Sequence, residues 1–272
     1  MEGLTKYWGF YFVAVLDANG VGVGDLHDAL NNVSEYGAWM SDIRPLPPRE
    51  RARQNELNSQ IASNHLRKVL AARIVVFQLF LQLAITVDGE ILEKHKRIWL
   101  LFQLSNQLGP HRGTLHPFVQ IIRKSLRHAS FEALTTLVDR LCDILGKYLP
   151  ESPFIIGLDE AQHIARLYPY SFISSTSDGI FRSVLREIVK VFTNLPIKLV
   201  VSGTDLSLED LEDDVATGVS KPRAVDLFHR LGMFDSWPKL KPFLERYIPT
   251  PILESPSGYR LQQRIQEYLQ GR

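Results

Sequence analysis

Phe154-Ile155-Ile156-Gly157-Leu158-Asp159-Glu160-Ala161-Gln162 is the stretch on which the fold reading turns. Its first five residues form a continuous apolar run, the pattern of a strand buried on both faces inside a parallel sheet. Pro150 and Pro153 set it apart from what precedes. Downstream, Asp178 to Asn194 reads as a helix with Phe181, Leu185, Ile188, Val189 and Phe192 turned inward, and Leu195-Pro196 closes it. Ile197-Lys198-Leu199-Val200-Val201 is then a second buried strand, ending in Ser202-Gly203-Thr204. Strand, helix and strand with short connections make a parallel βαβ unit.

Ligands of open parallel sheets bind beyond the carboxyl ends of the strands. Two neighbouring ends here carry polar groups, and hydrophobics followed by Asp159-Glu160 match the Walker B pattern. An aspartate at a strand tip suits Mg²⁺, which takes oxygen ligands and keeps part of its water shell. The following Glu160 can orient or deprotonate the water that attacks a γ-phosphate. Ser202 and Thr204 fit the sensor-one position on the adjacent strand. Gln162 either contacts that water, reports to the sensor strand, or lies on the surface. The competing reading makes Asp159-Glu160 the acidic first turn of a helix, favoured by its dipole; the polar tip of the next strand weighs toward the nucleotide site.

A glycine-rich loop followed by Gly-Lys-Ser/Thr would complete such a site. Gly20 to Gly24 offers glycines without a lysine, and Asp25 there would repel phosphate. Gly109-Pro110-His111-Arg112-Gly113-Thr114 has arginine where Gly-Lys is needed, and no strand leads into it.

Upstream, Gly9 to Leu16 is an apolar, aromatic-rich run that reads as another strand. Lys6 is the one basic residue before it, and no small-residue cleavage site follows, so it is not read as a secretion signal. A helix is expected over about 26–40, a break at Arg44-Pro45-Leu46-Pro47-Pro48-Arg49, and helices over about 57–84, 91–108 and 116–127. Phe131, Leu134, Val138, Leu141, Leu145 and Tyr148 recur at helical spacing behind a Ser130 N-cap, with Cys142 beside the stripe as a small core residue. Val69 to Val87 has the length of a membrane span but contains Arg73, Gln78 and Gln82. A charge within a span costs roughly 2.5–3.5 kcal/mol, so a buried helix is the preferred reading.

Lys and Arg total 31 against 30 Asp and Glu, a net charge of +1. No global field draws in nucleic acid, so any such contact must be local; Arg44, Arg49, Arg51 and Arg53 form the candidate basic loop, with a solvated loop as the alternative. Arg182 and Arg186, on the helix after the Walker B strand, are either an arginine finger for a neighbour's phosphate or a solvated face. The single cysteine excludes a disulfide framework and points to an intracellular setting. The eight histidines show no metal-ligand spacing.

Together these motifs resemble the NTPase domain of fungal Crinkler-type proteins, a P-loop ATPase family of the additional-strand, catalytic-Glu class. Trp8-Gly9-Phe10-Tyr11-Phe12, Gly157-Leu158-Asp159-Glu160-Ala161-Gln162 and Val201-Ser202-Gly203-Thr204-Asp205-Leu206-Ser207-Leu208 carry the likeness. Lys221-Pro222, Leu227-Phe228-His229, Gly232-Met233-Phe234 and Gly258-Tyr259-Arg260-Leu261-Gln262-Gln263-Arg264-Ile265 extend it over nearly the whole chain. The resemblance implies ATP and Mg²⁺ as cofactors, with Asp159 as the metal-binding residue and Glu160, Gln162, Ser202 and Thr204 as catalytic residues. It also implies that Met1-Glu2-Gly3-Leu4 is the tail of a Walker A helix whose strand and phosphate loop lie upstream.

The expected architecture is α/β: a three-layer P-loop NTPase-like parallel sheet, incomplete at the N-terminus, with a large helical insertion at about 57–149 inside a core of residues 1–220. A C-terminal helical part starts at 221 and includes a helix near 259–269. The strand bearing Ser202 would then have an exposed edge, open to a protein partner or a second copy. The expected function is a nucleotide-dependent switch module with weak or no hydrolysis on its own. The alternatives are a non-catalytic interaction module derived from an NTPase and, more remotely, a helicase fragment. No membrane association is expected.

Overall fold

In a computed structural model of the chain, residues 7–14, 22–104, 116–150, 152–174, 179–195, 197–203, 241, 245, 250–260 and 263 are described. Along the first of two units, Met1–Arg223, run β1 (Trp8–Val13), α1 (Asp25–Asn32), a 3-10 turn (Val33–Glu35), α2 (Pro48–Asp88) and α3 (Glu93–Leu104). They are followed by α4 (Pro117–Lys124), α5 (Phe131–Tyr148), β2 (Phe154–Asp159), α6 (Ala161–Ala165), β3 (Phe172–Ile173), β4 (Phe181–Arg182), α7 (Leu185–Thr193) and β5 (Lys198–Val201). The second unit, Ala224–Arg272, contains α8 (Thr250–Leu253) and an ion pair from Lys241 to Glu254.

The chain is mixed α/β, and its main sheet has three parallel strands in the order β1-β2-β5. Strand alternation gives this sheet two unlike faces. Trp8, Phe10, Phe12, Phe154, Ile156 and Leu158 fill one face and are buried. Phe77 of α2 and Phe192 of α7 pack there, with ring centroids 5.8 Å from Phe10 and 5.1 Å from Phe12. The other face carries Gly9, Tyr11, Val13, Ile155, Gly157, Asp159, Lys198 and Val200, in register across the strands. That second face mixes apolar residues with glycines and polar groups, and its Tyr11 and Asp159 belong to the site.

The two edges of the sheet also differ. On the outer side of β1, Gln103 Oε1 accepts from Tyr11 N at 3.0 Å, and Trp99 Nε1 donates to Gly9 O at 2.8 Å. Arg73 Nη1 donates to Tyr11 O at 2.7 Å. Side chains thus complete the backbone groups that an edge strand leaves unpaired. Among the described residues β5 has a ladder on one side only, to β2, and Val200 is 50% exposed.

Several expected elements shift. The central helix begins at Pro48 rather than near 57. Pro48 sits at the first helical position, where a missing N–H costs nothing and the fixed φ is already helical. Arg49, Arg51 and Arg53 therefore lie on the first turns of α2, not in a loop. Arg51 donates to the carbonyls of Arg44 and Leu46, and Arg44 pairs with Asp42 at 2.7 Å, so two of the four arginines are engaged within the fold. The helix expected over 178–194 is shorter. Phe181 and Arg182 instead pair antiparallel with Phe172 and Ile173, and α7 starts at Leu185. Where a helix over 26–40 was expected, α1 ends at Asn32 and passes into the 3-10 turn. Helix α5 matches the periodic stripe, and Ser130 Oγ accepts from Ala133 N at 3.2 Å. Its Phe131 and Cys142, however, are exposed.

By length and composition one helix, α2, is apolar enough to cross a membrane, and half of that apolar window is buried inside the protein. Arg73, in its middle, is fully buried on Asp25.

Candidate functional site

Asp159 ends β2, and Ser202 follows the last residue of β5. The ladder between the strands continues past both: Ser202 N donates to Leu158 O at 2.8 Å, and Ala161 N to Ser202 O at 3.0 Å. This clamps the two strand tips side by side. Ser202 Oγ then donates to Asp159 Oδ1 at 2.8 Å, and Glu160 N donates to the same oxygen at 3.0 Å. Asp159 Oδ2 accepts from the Tyr11 hydroxyl of the neighbouring strand. A carboxylate has about four acceptor positions, so three donors orient it and leave capacity for a further one.

Tyr11 is a residue of the site that motif reading did not pick out. Burial first, then the hydrogen bond to Asp159 and the charges of Asp159 and Glu160, push its phenol well above the ordinary value. It therefore stays protonated and a donor at neutral pH. Its signal was the alternation in β1: between Phe10 and Phe12, which face the core, stands one aromatic with a polar handle on the other face.

Glu160 adopts a left-handed backbone, φ 58° and ψ 33°. For a residue with a Cβ this costs about 1–2 kcal/mol. The bend turns the chain from strand into α6 and holds the Glu160 side chain about half exposed, with His163 Nε2 at 3.8 Å. Gln162 donates its amide to Glu160 Oε2. It is buried, which removes its surface alternative, and its Oε1 is enclosed without a hydrogen-bond partner. Backbone strain at this position gives a direct test: Glu160→Gly should be about 1 kcal/mol more stable than Glu160→Ala, measured by urea denaturation. An alanine variant at least as stable as the glycine one would mean that the turn is not held in the left-handed region.

Asp159, Glu160, Gln162 and Ser202 are thus brought together; Thr204 lies outside the described residues. So do Gly109 to Thr114, Lys221-Pro222, 227–229, 232–234, and 261–262 with 264–269. Arg182 and Arg186 do not project as fingers. Both are buried, and Arg186 Nη1 donates to Ile173 O at 2.6 Å beside the Phe172 ring. Asp25, read as a repellent of phosphate, is instead occupied by Arg73 at 2.7 Å.

The donor set at the strand tips is oxygen, carboxylate and hydroxyl, which suits a hard cation that keeps its waters. No group of three or more His, Cys, Asp or Glu able to enclose a metal directly occurs among the described residues. No protein-family model matches the chain, and neither a curated protein nor a solved structure does.

Proposed function

We propose that the first unit is the catalytic-edge half of a P-loop-type nucleotide switch, part of a three-layer sheet that a further strand completes beside β5. One observation carries this reading. The tips of two adjacent parallel strands hold Asp159 and Ser202 in a hydrogen bond of 2.8 Å, with Glu160 next in the chain and Gln162 bound to it. In this reading Asp159 holds Mg²⁺ through water, and the ion supplies charge neutralisation for phosphate. Glu160 accepts a proton from, or orients, a water; Gln162 fixes the Glu160 carboxylate; Ser202 fixes Asp159. Among the described residues β5 pairs on one side only, whereas side chains close the opposite edge at β1, and this contrast supports the missing-strand part of the proposal. No Gly-Lys-Ser/Thr sequence that would wrap the phosphates of a nucleotide at the strand tips occurs in these 272 residues, so weak or no hydrolysis by this polypeptide alone goes with it.

The same contrast supports a second reading, an interaction module that pairs β5 with a strand of another chain and has no nucleotide chemistry. Thermal unfolding separates the two. At Mg-ATP about ten times above Kd, linkage adds about 1.4 kcal/mol, a Tm rise of about 3–6 °C. The rise should vanish in Asp159→Ala and on removal of Mg²⁺. Absence of any rise at millimolar Mg-ATP in the unmodified chain would leave the interaction module.

A further inference from the structure

A separate cavity of about 470 Å³ opens between α1, α2 and α4. Its charged lining is mixed, with Lys68, His65, Arg123 and Arg127 alongside Asp28 and Glu35. Asp25 also borders it, but its charge is met by Arg73.

Lys68 is the informative residue. It is only 8% exposed, and its ammonium donates to one neutral acceptor, Arg127 O, at 3.0 Å. It forms no ion pair among the described residues, although a buried charge is normally paired. His65 lies one helical turn earlier, and its Nε2 is enclosed without a hydrogen-bond partner. Burial, and then the charge of Lys68, hold this imidazole down to about 4, so it is neutral at physiological pH. Arg123 is matched by Asp28 at 3.4 Å, whereas Arg127 has no ion-pair partner among the described residues. Lys68 and Arg127 are therefore two cations without an ion pair among the described residues, beside one likewise unpaired carboxylate, Glu35, and a neutral imidazole.

We propose that this cavity binds a small phosphorylated metabolite, its phosphate seated on Lys68 and Arg127 and its hydroxylated body reaching toward Asp28 and Glu35. A phosphate monoester brings close to two negative charges and three acceptor oxygens at neutral pH, so one group can engage both cations at once. Guanidinium forks suit phosphate oxygens. The volume lies in the range of sites that hold whole small molecules, larger than a bare phosphate ion needs.

The test uses the full chain in calorimetric titrations with ribose 5-phosphate, inorganic phosphate and sodium chloride at matched ionic strength. Ribose 5-phosphate is expected to bind more tightly than inorganic phosphate, and chloride to give no saturable signal. Lys68→Met should weaken ribose 5-phosphate at least about tenfold, and Arg127→Gln, at an exposed position that folding tolerates, should weaken it as well. Asp159→Asn should leave it unchanged, which separates this cavity from the strand-tip site. No saturable binding of either phosphate compound would overturn the proposal. So would wild-type affinity in Arg127→Gln together with Lys68→Met, or in Arg127→Gln alone if Lys68→Met does not fold. Equal affinity for the two phosphates would overturn the assignment of a hydroxylated body, and loss of binding in Asp159→Asn would move the phosphate to the strand tips.

Discussion

Arg73→Met is expected to destabilise the first unit by about 3–5 kcal/mol, read as a lowered midpoint in urea denaturation. Both Arg73 and Asp25 are 0% exposed and meet in a two-pronged pair, Nε to Oδ2 and Nη2 to Oδ1, each 2.7 Å. The remaining nitrogen donates to Tyr11 O and to Gln103 Oε1, at 2.7 and 2.9 Å. The guanidinium also stacks 3.9 Å from the Phe12 ring centroid. Methionine keeps much of that packing and removes the charge, so what the experiment reads is chiefly an abandoned buried carboxylate. Against a total stability of about 5–15 kcal/mol, the loss is large. The double variant Arg73→Met/Asp25→Leu should recover most of it, because replacing both members of a buried pair with apolar groups is often neutral or better. A loss below about 1 kcal/mol in the single variant would show that water reaches Asp25. The pair also bears on the strand-tip site: Arg73 holds the backbone of Tyr11, and the Tyr11 hydroxyl holds Asp159.

What the sequence showed about this architecture depended on how local each signal was. Strands β2 and β5 were legible as strands because continuous apolar runs ending in polar tips need no knowledge of their partners, but the burial expected of β5 was not met: Lys198 to Val201 are exposed or half-buried. The spacing in α5 and its serine cap were legible for the same reason. Positions fixed by distant partners were not. Phe181 and Arg182 have helical spacing to α7, yet they pair with Phe172 and Ile173, a contact no periodicity reveals. Arg186 looked like a surface cation and is buried under a carbonyl of that same hairpin. Cys142 lies one residue past the buried Leu141, and a rotation of about 100° per residue is enough to carry it from the core to solvent. In the candidate site, Asp159 and Ser202 were nameable from their strand tips. Tyr11 was not, because its role depends on the register that sets β1 against β2. The cavity at Lys68 was also hidden, since its lining comes from helices far apart in sequence.

Trp99 tests whether the closed edge of β1 is held by packing or by hydrogen bonding. Its indole is 1% exposed, with ring centroids 4.9 Å from Phe77, 5.3 Å from Phe80 and 6.0 Å from Phe118. Its Nε1 donates to Gly9 O. Trp99→Ala removes both contributions and is expected to cost about 3–5 kcal/mol. Trp99→Phe retains a ring and loses the N–H, but Gly9 O still accepts from Gln103 Nε2 at 3.1 Å. That carbonyl is not orphaned, so the phenylalanine variant should lose only about 1–2 kcal/mol, from a smaller ring and a bond worth about 1 kcal/mol. Equal losses in the two variants would assign the edge to the hydrogen bond instead. The comparison matters for the sheet as a whole, because β1 and β5 end it in different ways. If aromatic packing keeps α3 against β1, then Trp99→Ala also uncovers the carbonyl and amide row that Gln103 completes. The sheet would then present a pairing edge at β1 that the unmodified chain keeps covered. Light scattering at rising protein concentration should register that as self-association of the alanine variant beyond the unmodified chain, with the phenylalanine variant unchanged.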